Sequence, residues 1–275
     1  MNKHLLVINA AEGLLQLLFA RREIEGGPWL AQHFDQRPAA SQGAELLTPR
    51  IRDGLETLRL QPRDIGYIAS VRGPGSFTGL RLALATASGL GRAVGALRAG
   101  LDYLPLLALG AAQVAFAGDK AAQSPQSFWA VTHARRDLVH VQGFTATEVT
   151  DLTPLTAILV LPPQEALNLM LLTVAHACGP VAALCGSGLV RNRDLFAAGV
   201  GLFEKQGLTL RLLGSECEHP GSPALLQASA KAHFCLQDPE PLYVRPSDAE
   251  ANIERIAESL GLDPADARAR LEQLV

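Results

Sequence analysis

A glycine-rich turn is the stretch of this sequence with the clearest capacity for chemistry. Gly73, Gly75 and Ser76 lie between an apolar run, residues 65–71, and a segment of small residues and helix formers. Glycines allow a sharp turn, and the free N–H groups at the start of a helix can bind an anion. Ser76 or Thr78 could instead cap that helix with its hydroxyl oxygen. The turn therefore has two interpretations, a phosphate site or a structural strand-to-helix connection.

Other reactive side chains form no recognisable catalytic pattern. The seven histidines include no HxxxH or HExxH pair, and Ser76 has neither a GxSxG context nor a visible base. The four cysteines show no CxxC spacing, which favours buried reduced thiols. A second small turn, Gly186, Ser187 and Gly188, follows an apolar run, and by itself so short a glycine motif favours a plain turn.

Charge and hydropathy exclude several classes of protein. The chain has 275 residues and a formal net charge of −3, with its arginines scattered rather than clustered. A protein that binds a nucleic-acid backbone carries a basic stripe, so we expect no such grip here. The most apolar window, residues 157–177, contains Pro162 and Pro163 and is not expected to cross a membrane. The first residues lead directly into a strand, without a secretory signal, which favours a cytoplasmic protein.

Apolar periodicity predicts the elements that position these turns. Three strands precede any helix, and the glycine turn joins a fourth strand to a second helix. In the first helix Leu47, Ile51 and Leu55 recur at a four-residue spacing. The predicted strands are 5–9, 14–19, 29–35 and 65–71, and the predicted helices are 44–58 and 78–94.

The second half of the sequence predicts a similar alternation of strands and helices. A hairpin is expected around residues 133–137. The further predicted helices are 103–116, 164–177, 191–199 and 222–236, the further strands are 181–185, 208–212 and 242–244, and a helical hairpin is expected over 247–275.

Helix 78–94 is unusually rich in small residues, among them Ala85, Ser88 and Gly89. Gly89 and Gly91 each cost about 1 kcal/mol of helix propensity relative to alanine. A helix with small residues allows another backbone to approach closely. The contact that compensates for the lost propensity lies either inside the same domain or at a subunit interface.

The string GPGSFTGLR, residues 73–81, resembles the signature of the TsaB (YeaZ) family. Residues 5–9 look like the first strand of that family, and residues 44–58 look like its first long helix. Residues 132–136 resemble its "DAR" segment, and residues 240–245 resemble its closing P-x-Y-x-R strand. The resemblance covers roughly residues 4–246.

This resemblance implies an α/β fold with two ribonuclease-H-like domains of the actin-like ATPase (ASKHA) type, each with a mixed sheet. The expected domains are 1–105 and 106–246, followed by the helical hairpin at 247–275. The family is related to the TsaD enzymes and was once labelled glycoprotease-like. Its members are non-catalytic partners of TsaD in the N6-threonylcarbamoyladenosine (t6A) modification of tRNA.

Two turns depart from the family pattern. Asn9, Ala10 and Ala11 stand where active relatives carry Asp-Thr-Ser/Thr, so the groups that would hold Mg²⁺ or a phosphate are missing. In the "DAR" turn His133 replaces the aspartate, and His140 replaces a tyrosine. We therefore expect no catalytic residue, no metal and no cofactor of this chain alone. ATP or ADP at a subunit interface stays open, and the nearest candidate positions are Gly73, Gly75, Ser76, Gly186 and Gly188.

The resemblance also implies partners. They are a TsaD-like protein, a TsaE-like ATPase and a second copy of the chain, with no direct contact to tRNA and no membrane. The interface is expected on the two N-terminal helices, at Leu47, Ile51, Leu55, Ala85, Ser88 and Gly89. Two alternatives remain: a diverged paralogue that only homodimerises, and a metal-dependent ATPase or protease-like enzyme.

Overall fold

The computed structural model describes residues 3–24, 26–39, 43–117, 124–177 and 179–244. Residues up to Leu242 form one compact unit, and a second unit begins at Tyr243. The predicted helical hairpin at 247–275 and the last residue of the closing segment, 245, lie outside the described residues. The predicted division into domains 1–105 and 106–246 remains a prediction.

The first sheet has five strands in the spatial order β3-β2-β1-β4-β5. The first three strands are antiparallel neighbours, whereas β4 and β5 run parallel to β1. Short turns can join antiparallel strands, but the parallel ones need crossovers, which helices provide. The strands are β1 (His4–Asn9), β2 (Leu14–Arg21), β3 (Leu30–Pro38), β4 (Ile65–Gly73) and β5 (Leu97–Asp102).

Two helices cover one face of this sheet, α1 (Gly43–Thr57) and α2 (Phe77–Val94). Along β1, Leu6 and Ile8 point to these helices, whereas the alternate residues Leu5 and Val7 point to the opposite face. The two helices contact one another. α2 ends at Gly95, which has the left-handed φ of +73° that a helix C-cap favours.

The second sheet repeats the topology of the first. Its strands are β6 (Gln126–Arg135), β7 (Leu138–Ala146), β8 (Thr153–Pro154), β9 (Leu159–Leu161), β10 (Val181–Cys185) and β11 (Thr209–Leu212). The order is β11-β10-β6-β7-β8, and β9 also pairs with β7. β6 and β7 form the predicted hairpin, and β10 and β11 run parallel to β6. The two sheets are thus equivalent in strand order and direction, although the sequence contains no visible repeat.

One helix lies between the two sheets and joins their cores. α3 (Tyr103–Ala115) packs against β4 and β5 on one side and against β6, β7 and β10 on the other. Its buried residues, apart from Leu109, belong to one apolar cluster with Leu5 of the first sheet and Phe128 of the second. α7 (Ser222–Lys231) packs beside it. The outer face of the second sheet is covered by α4 (Pro163–Ala177), α5 (Ser187–Arg191) and α6 (Arg193–Glu204).

These layers confirm the predicted α/β class with two ribonuclease-H-like halves. Three predicted elements differ. The helix expected over 191–199 is two helices, α5 and α6, that meet at Asn192. The helix expected over 222–236 ends at Lys231, and residues 242–244 are not a strand.

The segment after α7 lies alongside β5, the edge strand of the first sheet, and contacts β4. Cys235 and Arg98 exchange two backbone hydrogen bonds, of 2.7 and 2.9 Å. Phe234 packs edge-on against Tyr67, with ring centroids 5.3 Å apart. Leu242 N–H donates to the carbonyl of Arg72 at 2.7 Å. These tertiary contacts replace continued helix, because an exposed sheet edge offers unpaired backbone groups to an adjacent segment.

Candidate functional site

The glycine turn joins β4 to α2, and one of its side chains caps the helix. The Oγ of Ser76 accepts a hydrogen bond from Gly79 N–H at 3.4 Å, so Ser76 is the N-cap of α2. Gly73 has a φ of +125°, which only glycine adopts readily. Of the two expected caps, Ser76 or Thr78, the structure selects Ser76.

The space in front of α2 is filled by the carbonyl groups of the first turn. Ser76 N–H donates to the carbonyl oxygen of Ala11 at 2.5 Å. A Cβ on Gly75 would lie 2.9 Å from the Cβ of Ala11 and closer still to its carbonyl oxygen, and one on Gly79 would collide with the carbonyl oxygen of Ala10. The backbone of the first turn thus lies directly against the start of α2, and one of its carbonyl oxygens takes the Ser76 N–H that could otherwise meet an anion.

This packing explains why position 75 is a glycine. Of the two glycines in the turn, only Gly73 has a positive φ. Gly75 is needed instead because the backbone of Ala11 approaches too closely for any side chain.

The first turn, between β1 and β2, is held by its own polar residues. The Oδ1 of Asn9 accepts a hydrogen bond from Ala11 N–H at 3.0 Å, and its amide donates to Gln16 Oε1 at 2.6 Å. Gln16 donates in turn to the carbonyl of Pro220, at 2.9 Å. Asn9, which replaces the carboxylate of active relatives, is therefore a buried residue that shapes this turn and ties it to the segment before α7.

The second glycine turn, after β10, closely approaches the backbone of β6. Gly186 has a φ of +99°, and Cβ atoms on Gly186 or Gly188 would meet the carbonyl group of Val131. A Cβ on Gly188 would also lie 2.6 Å from a methyl group of Val131. The turn is thus packed against its own sheet, and its role beside a nucleotide stays a prediction.

Ser187 extends from this turn to the other half of the molecule. Its Oγ–H donates to Oε1 of Glu12 at 2.8 Å and accepts a hydrogen bond from His133 N–H at 3.1 Å. Glu12 lies in the turn between β1 and β2, whereas Ser187 and His133 belong to the second sheet and its helix. The structure thus brings together a carboxyl group and a hydroxyl group that are 175 residues apart.

Glu12, Ser187, Tyr103 and His219 form the junction between the two halves, and burial shifts the pKa values of three of them. Burial raises the pKa of Glu12 from 4.5 to about 7, although the Ser187 hydrogen bond and the nearby backbone N–H of His133 act in the opposite direction. Burial also raises the pKa of Tyr103, whose hydroxyl lies beside the Glu12 carboxyl and shares a 3.0 Å hydrogen bond with Nδ1 of His219. Burial lowers the pKa of His219, which favours its neutral form.

The "DAR"-like segment forms the end of the β6–β7 hairpin. His133 pairs with Val139 across the two strands, and Asp137 in the turn has a φ of +61°. His140 is buried, and its Nδ1 lies 3.3 Å from the hydroxyl of Thr132. The two histidines that depart from the family pattern are thus in neighbouring strands, and His133 contributes its backbone N–H to the Glu12–Ser187 junction.

Three predicted interface residues belong to the core of the chain. Leu47, Ile51 and Leu55 expose 0%, 7% and 6% of their surface and pack against the first sheet. The assignment of these residues to a partner interface is therefore corrected, because a side chain that is already covered adds almost no buried area on association. The amphipathic pattern of the helix was right, but its apolar side faces the chain's own sheet.

The small residues of α2 divide between the two expected environments. Ala85 and Gly89 are exposed, and nothing lies within 4 Å of a Cβ on Gly89. Ser88 is half-buried and hydrogen-bonds Asp238 in the segment after α7. Gly91 is buried against Arg98, whose Cδ would lie 2.6 Å from an added Cβ. Gly91 therefore serves packing within the chain, whereas Gly89 is open to a partner.

Metal, thiol and membrane features add no further site in the described part of the chain. No group of three or more His, Cys, Asp or Glu side chains there is arranged to hold a metal ion. Cys185 and Cys217 are buried free thiols, whose pKa burial raises, and Cys235 is half-buried and free. The fourth cysteine, at position 178, lies outside the described residues. Across those same residues no helix is both long and apolar enough to span a bilayer.

Sequence comparison relates part of the chain to a known family. Residues 37–158, fewer than half of the chain, match the model of the TsaD family, described as tRNA N6-adenosine threonylcarbamoyltransferase. No curated protein matches the chain as a sequence relative.

Two solved structures show the fold. One is an uncharacterized protein with similarity to peptidase YeaZ from Pseudomonas aeruginosa, with a TM-score of 0.62 and 22% identity. The other is YeaZ from Pseudomonas aeruginosa, with a TM-score of 0.58 and 21% identity. Each comparison covers 88% of this chain and 100% of the other. These likenesses confirm the fold that the resemblance to the TsaB (YeaZ) family implied. The YeaZ-like fold extends well beyond residues 37–158, which carry the sequence match.

Sequence reasoning missed the junction of Glu12, Ser187, Tyr103 and His219. Glu12 directly follows the altered first turn, but an acidic residue in a turn is ordinarily exposed. Ser187 was noted only as the middle of a small turn. The one signal that could have suggested a polar contact is the carboxylate of Glu12 next to Gly13 in a tight turn. The partners of Glu12 are too distant in sequence to be identified from that signal.

Proposed function

We propose that this YeaZ-like chain is a non-catalytic subunit that supports t6A modification of tRNA by binding a TsaD-like protein. The match of residues 37–158 to a family described as tRNA N6-adenosine threonylcarbamoyltransferase supports the pathway. The fold shared with YeaZ supports the type of subunit.

The observation that carries the non-catalytic role is the closed start of α2. The carbonyl groups of Ala10 and Ala11 occupy the space in front of the helix, and Asn9 makes its hydrogen bonds inside the turn. Metal-dependent phosphate chemistry in this type of fold requires carboxylates and free N–H donors that converge on metal and phosphate. We therefore propose that the chain neither hydrolyses ATP nor binds nucleotide tightly by itself.

We further propose that association uses the outer face of α2, near Ala85 and Gly89. Both residues are exposed and small, so the backbone of a partner helix can approach this face closely. A specific interface buries about 800 Å² on each partner, so neighbouring exposed residues of α1 and α2 must contribute as well. The partner would be a TsaD-like protein or a second copy of the chain, and a TsaE-like ATPase would join the assembly. In this scheme the partner, not this chain, holds the tRNA.

The test compares two glycines in equivalent surroundings. Gly89 in α2 and Gly201 in α6 are both exposed, and nothing lies within 4 Å of an added Cβ at either position. Gly89→Leu and Gly201→Leu therefore introduce the same side chain without a clash inside the chain. The masses of the variants, alone and with the organism's TsaD-like protein, are measured by light scattering, with the thermal midpoint followed in parallel.

We expect Gly89→Leu to weaken association with the TsaD-like protein at least about tenfold, while Gly201→Leu leaves it unchanged. Both variants should fold with unchanged or slightly higher stability, because leucine is the better helix former. If the wild-type chain forms no complex with the TsaD-like protein, the proposed function is wrong. If it forms only a dimer with itself, the homodimeric alternative is favoured instead.

A further inference from the structure

Glu12 has a carboxyl oxygen without a hydrogen-bond partner at the place where the two sheets meet. Among the described residues it is the only carboxyl group of this kind at that place. Its Oε1 accepts the Ser187 hydrogen bond, but its Oε2 is buried and has no hydrogen-bond partner. An ionised oxygen without a partner is costly to bury, whereas a protonated carboxyl is neutral and has an O–H to donate. The geometry therefore favours a neutral Glu12 as long as the junction is closed.

We propose that Glu12 is a proton-operated latch between the two halves of the chain, closed when its carboxyl is protonated and loosened when it ionises. This inference does not depend on the proposed function. The latch joins the first turn of one half to α5 and β6 of the other through Ser187, whose hydroxyl also binds His133 N–H.

Burial has a larger effect on the pKa of Glu12 than the charged groups that face it. Arg191 at the end of α5 attracts the ionised form, whereas Glu218, beyond β11, repels it. Tyr103 at the start of α3 lies beside the carboxyl, and its own next neighbour is His219. One positive and one negative group act in opposite directions, and burial raises the pKa of Glu12 to about 7. The latch would consequently respond within the physiological pH range.

A neutral junction can form a continuous chain of hydrogen bonds. The protonated Glu12 carboxyl can donate to the oxygen of Tyr103, and the Tyr103 hydroxyl can then donate to Nδ1 of His219, 3.0 Å away. A neutral His219 accepts this bond, in agreement with its lowered pKa. Loss of the Glu12 proton removes the first donor of this chain and leaves a buried charge.

The direction of the pH effect follows from the raised pKa. The closed junction is favoured fully below the ordinary pKa of a glutamate, near 4.5. It becomes less favourable as the pH rises toward about 7, and the loss levels off above that value, because the carboxyl is then ionised in both the closed and the open states.

Two buried thiols report on the opening of the junction. Cys185 lies at the end of β10, next to the Gly186 turn, and Cys217 lies just before Glu218. Reaction with a thiol reagent requires these residues to become exposed. Because the reagent attacks the thiolate, labelling rates rise with pH in every variant, and the informative quantity is the ratio of wild type to Glu12→Gln at each pH.

The experiment uses the full chain, with labelling at Cys185 and Cys217 quantified by peptide mass spectrometry between pH 5 and 8. Glutamine retains an oxygen for the Ser187 hydrogen bond but cannot ionise. We expect the ratio of labelling rates to rise at least about tenfold over this range and to level off above pH 7. Glu56→Gln, at an exposed position of α1, is the control and should label as wild type does.

A second variant removes the dependence on a single substitution. Ser187→Ala deletes a hydrogen bond that lowers the pKa of Glu12, so it should increase labelling at pH 8 relative to wild type and leave labelling at pH 5 closer to unchanged. A wild-type to Glu12→Gln ratio that is independent of pH would overturn the latch. So would equal increases for Ser187→Ala at both pH values, because they would show that Ser187 has only a structural role.

Discussion

The two glycine turns occupy equivalent places in the two halves of the molecule but have different partners. Each follows the strand that pairs in parallel with the first strand of its sheet, and each opens a helix. In the glycine turn after β4, Ser76 caps its own helix, and the glycines of this turn and of the helix start fit against the carbonyl groups of Ala10 and Ala11 in the same half. In the glycine turn after β10, Ser187 donates a hydrogen bond to Glu12 in the other half.

This difference shows how one topology supports two roles. Both turns need glycine because a neighbouring backbone approaches closely, so the local geometry has been retained in each half. In the first half the turn packs against the backbone of Ala10 and Ala11, whereas in the second half a polar side chain connects the halves. Substitutions at matched positions can separate these roles.

The largest effect is expected at Gly186. A valine there would combine a φ of +99° with a collision with the Val131 carbonyl oxygen. Backbone strain and overpacking together should lower the free energy of unfolding by about 4 kcal/mol. Chemical denaturation measures this loss. A loss below about 1 kcal/mol would show that the second turn can move away from β6.

Gly75→Val, at the matching turn of the first half, should cost about 3 kcal/mol. Here only the close approach of Ala11 opposes the new side chain, because Gly75 lacks a positive φ. Denaturation under the same conditions gives the comparison. Gly89→Val, with nothing within 4 Å of its Cβ, is the control and should cost no more than a few tenths of a kcal/mol.

Glu12→Gln should stabilise the chain in a pH-dependent manner. At pH 8 the wild type carries a buried carboxylate whose raised pKa opposes folding, and its removal should add about 2 kcal/mol to the free energy of unfolding. The gain should shrink as the pH falls from about 7 and vanish below about 4.5, because the carboxyl is then neutral in both the folded and the unfolded state. Denaturation curves at pH 5, 6.5 and 8 provide the measurement, and a gain of equal size at all three would contradict the argument.

The smallest effect is expected at Ser76. Its capping hydrogen bond is long, at 3.4 Å, and its side chain is exposed, so Ser76→Ala should cost about 0.5–1 kcal/mol at any pH. Ser187→Ala should instead show a cost that changes with pH. If both serine variants showed the same pH-independent loss of thermal stability, the proposed difference between the two turns would disappear.

Much of the fold follows from local patterns. The apolar stripe at Leu47, Ile51 and Leu55 correctly predicted a helix, because residues spaced by one turn share a face. The pattern could not say which surface that face covers, and the stripe was wrongly assigned to a partner. Periodicity reports that a side chain needs burial, but the identity of what buries it depends on the assembled sheet.

The incorrect end of the last described helix has a similar origin. Residues 232–236 continue a pattern compatible with helix, yet Phe234 packs against Tyr67 and Cys235 pairs with Arg98. Backbone hydrogen bonds to the edge strand compensate for those that the helix would have made. Such competition between local propensity and a distant strand is invisible to any local pattern.

The sequence by itself determined the order of strands and helices, the two glycine turns and the absence of a carboxylate at Asn9, because side-chain type and spacing act locally. Only the tertiary structure decided that the carbonyls of Ala10 and Ala11 close the start of α2 and that Glu12 meets Ser187, 175 residues away. These contacts depend on how closely the two equivalent sheets pack around α3. The raised pKa of Glu12 depends on it too, since burial is its cause and burial is a property of the folded chain alone.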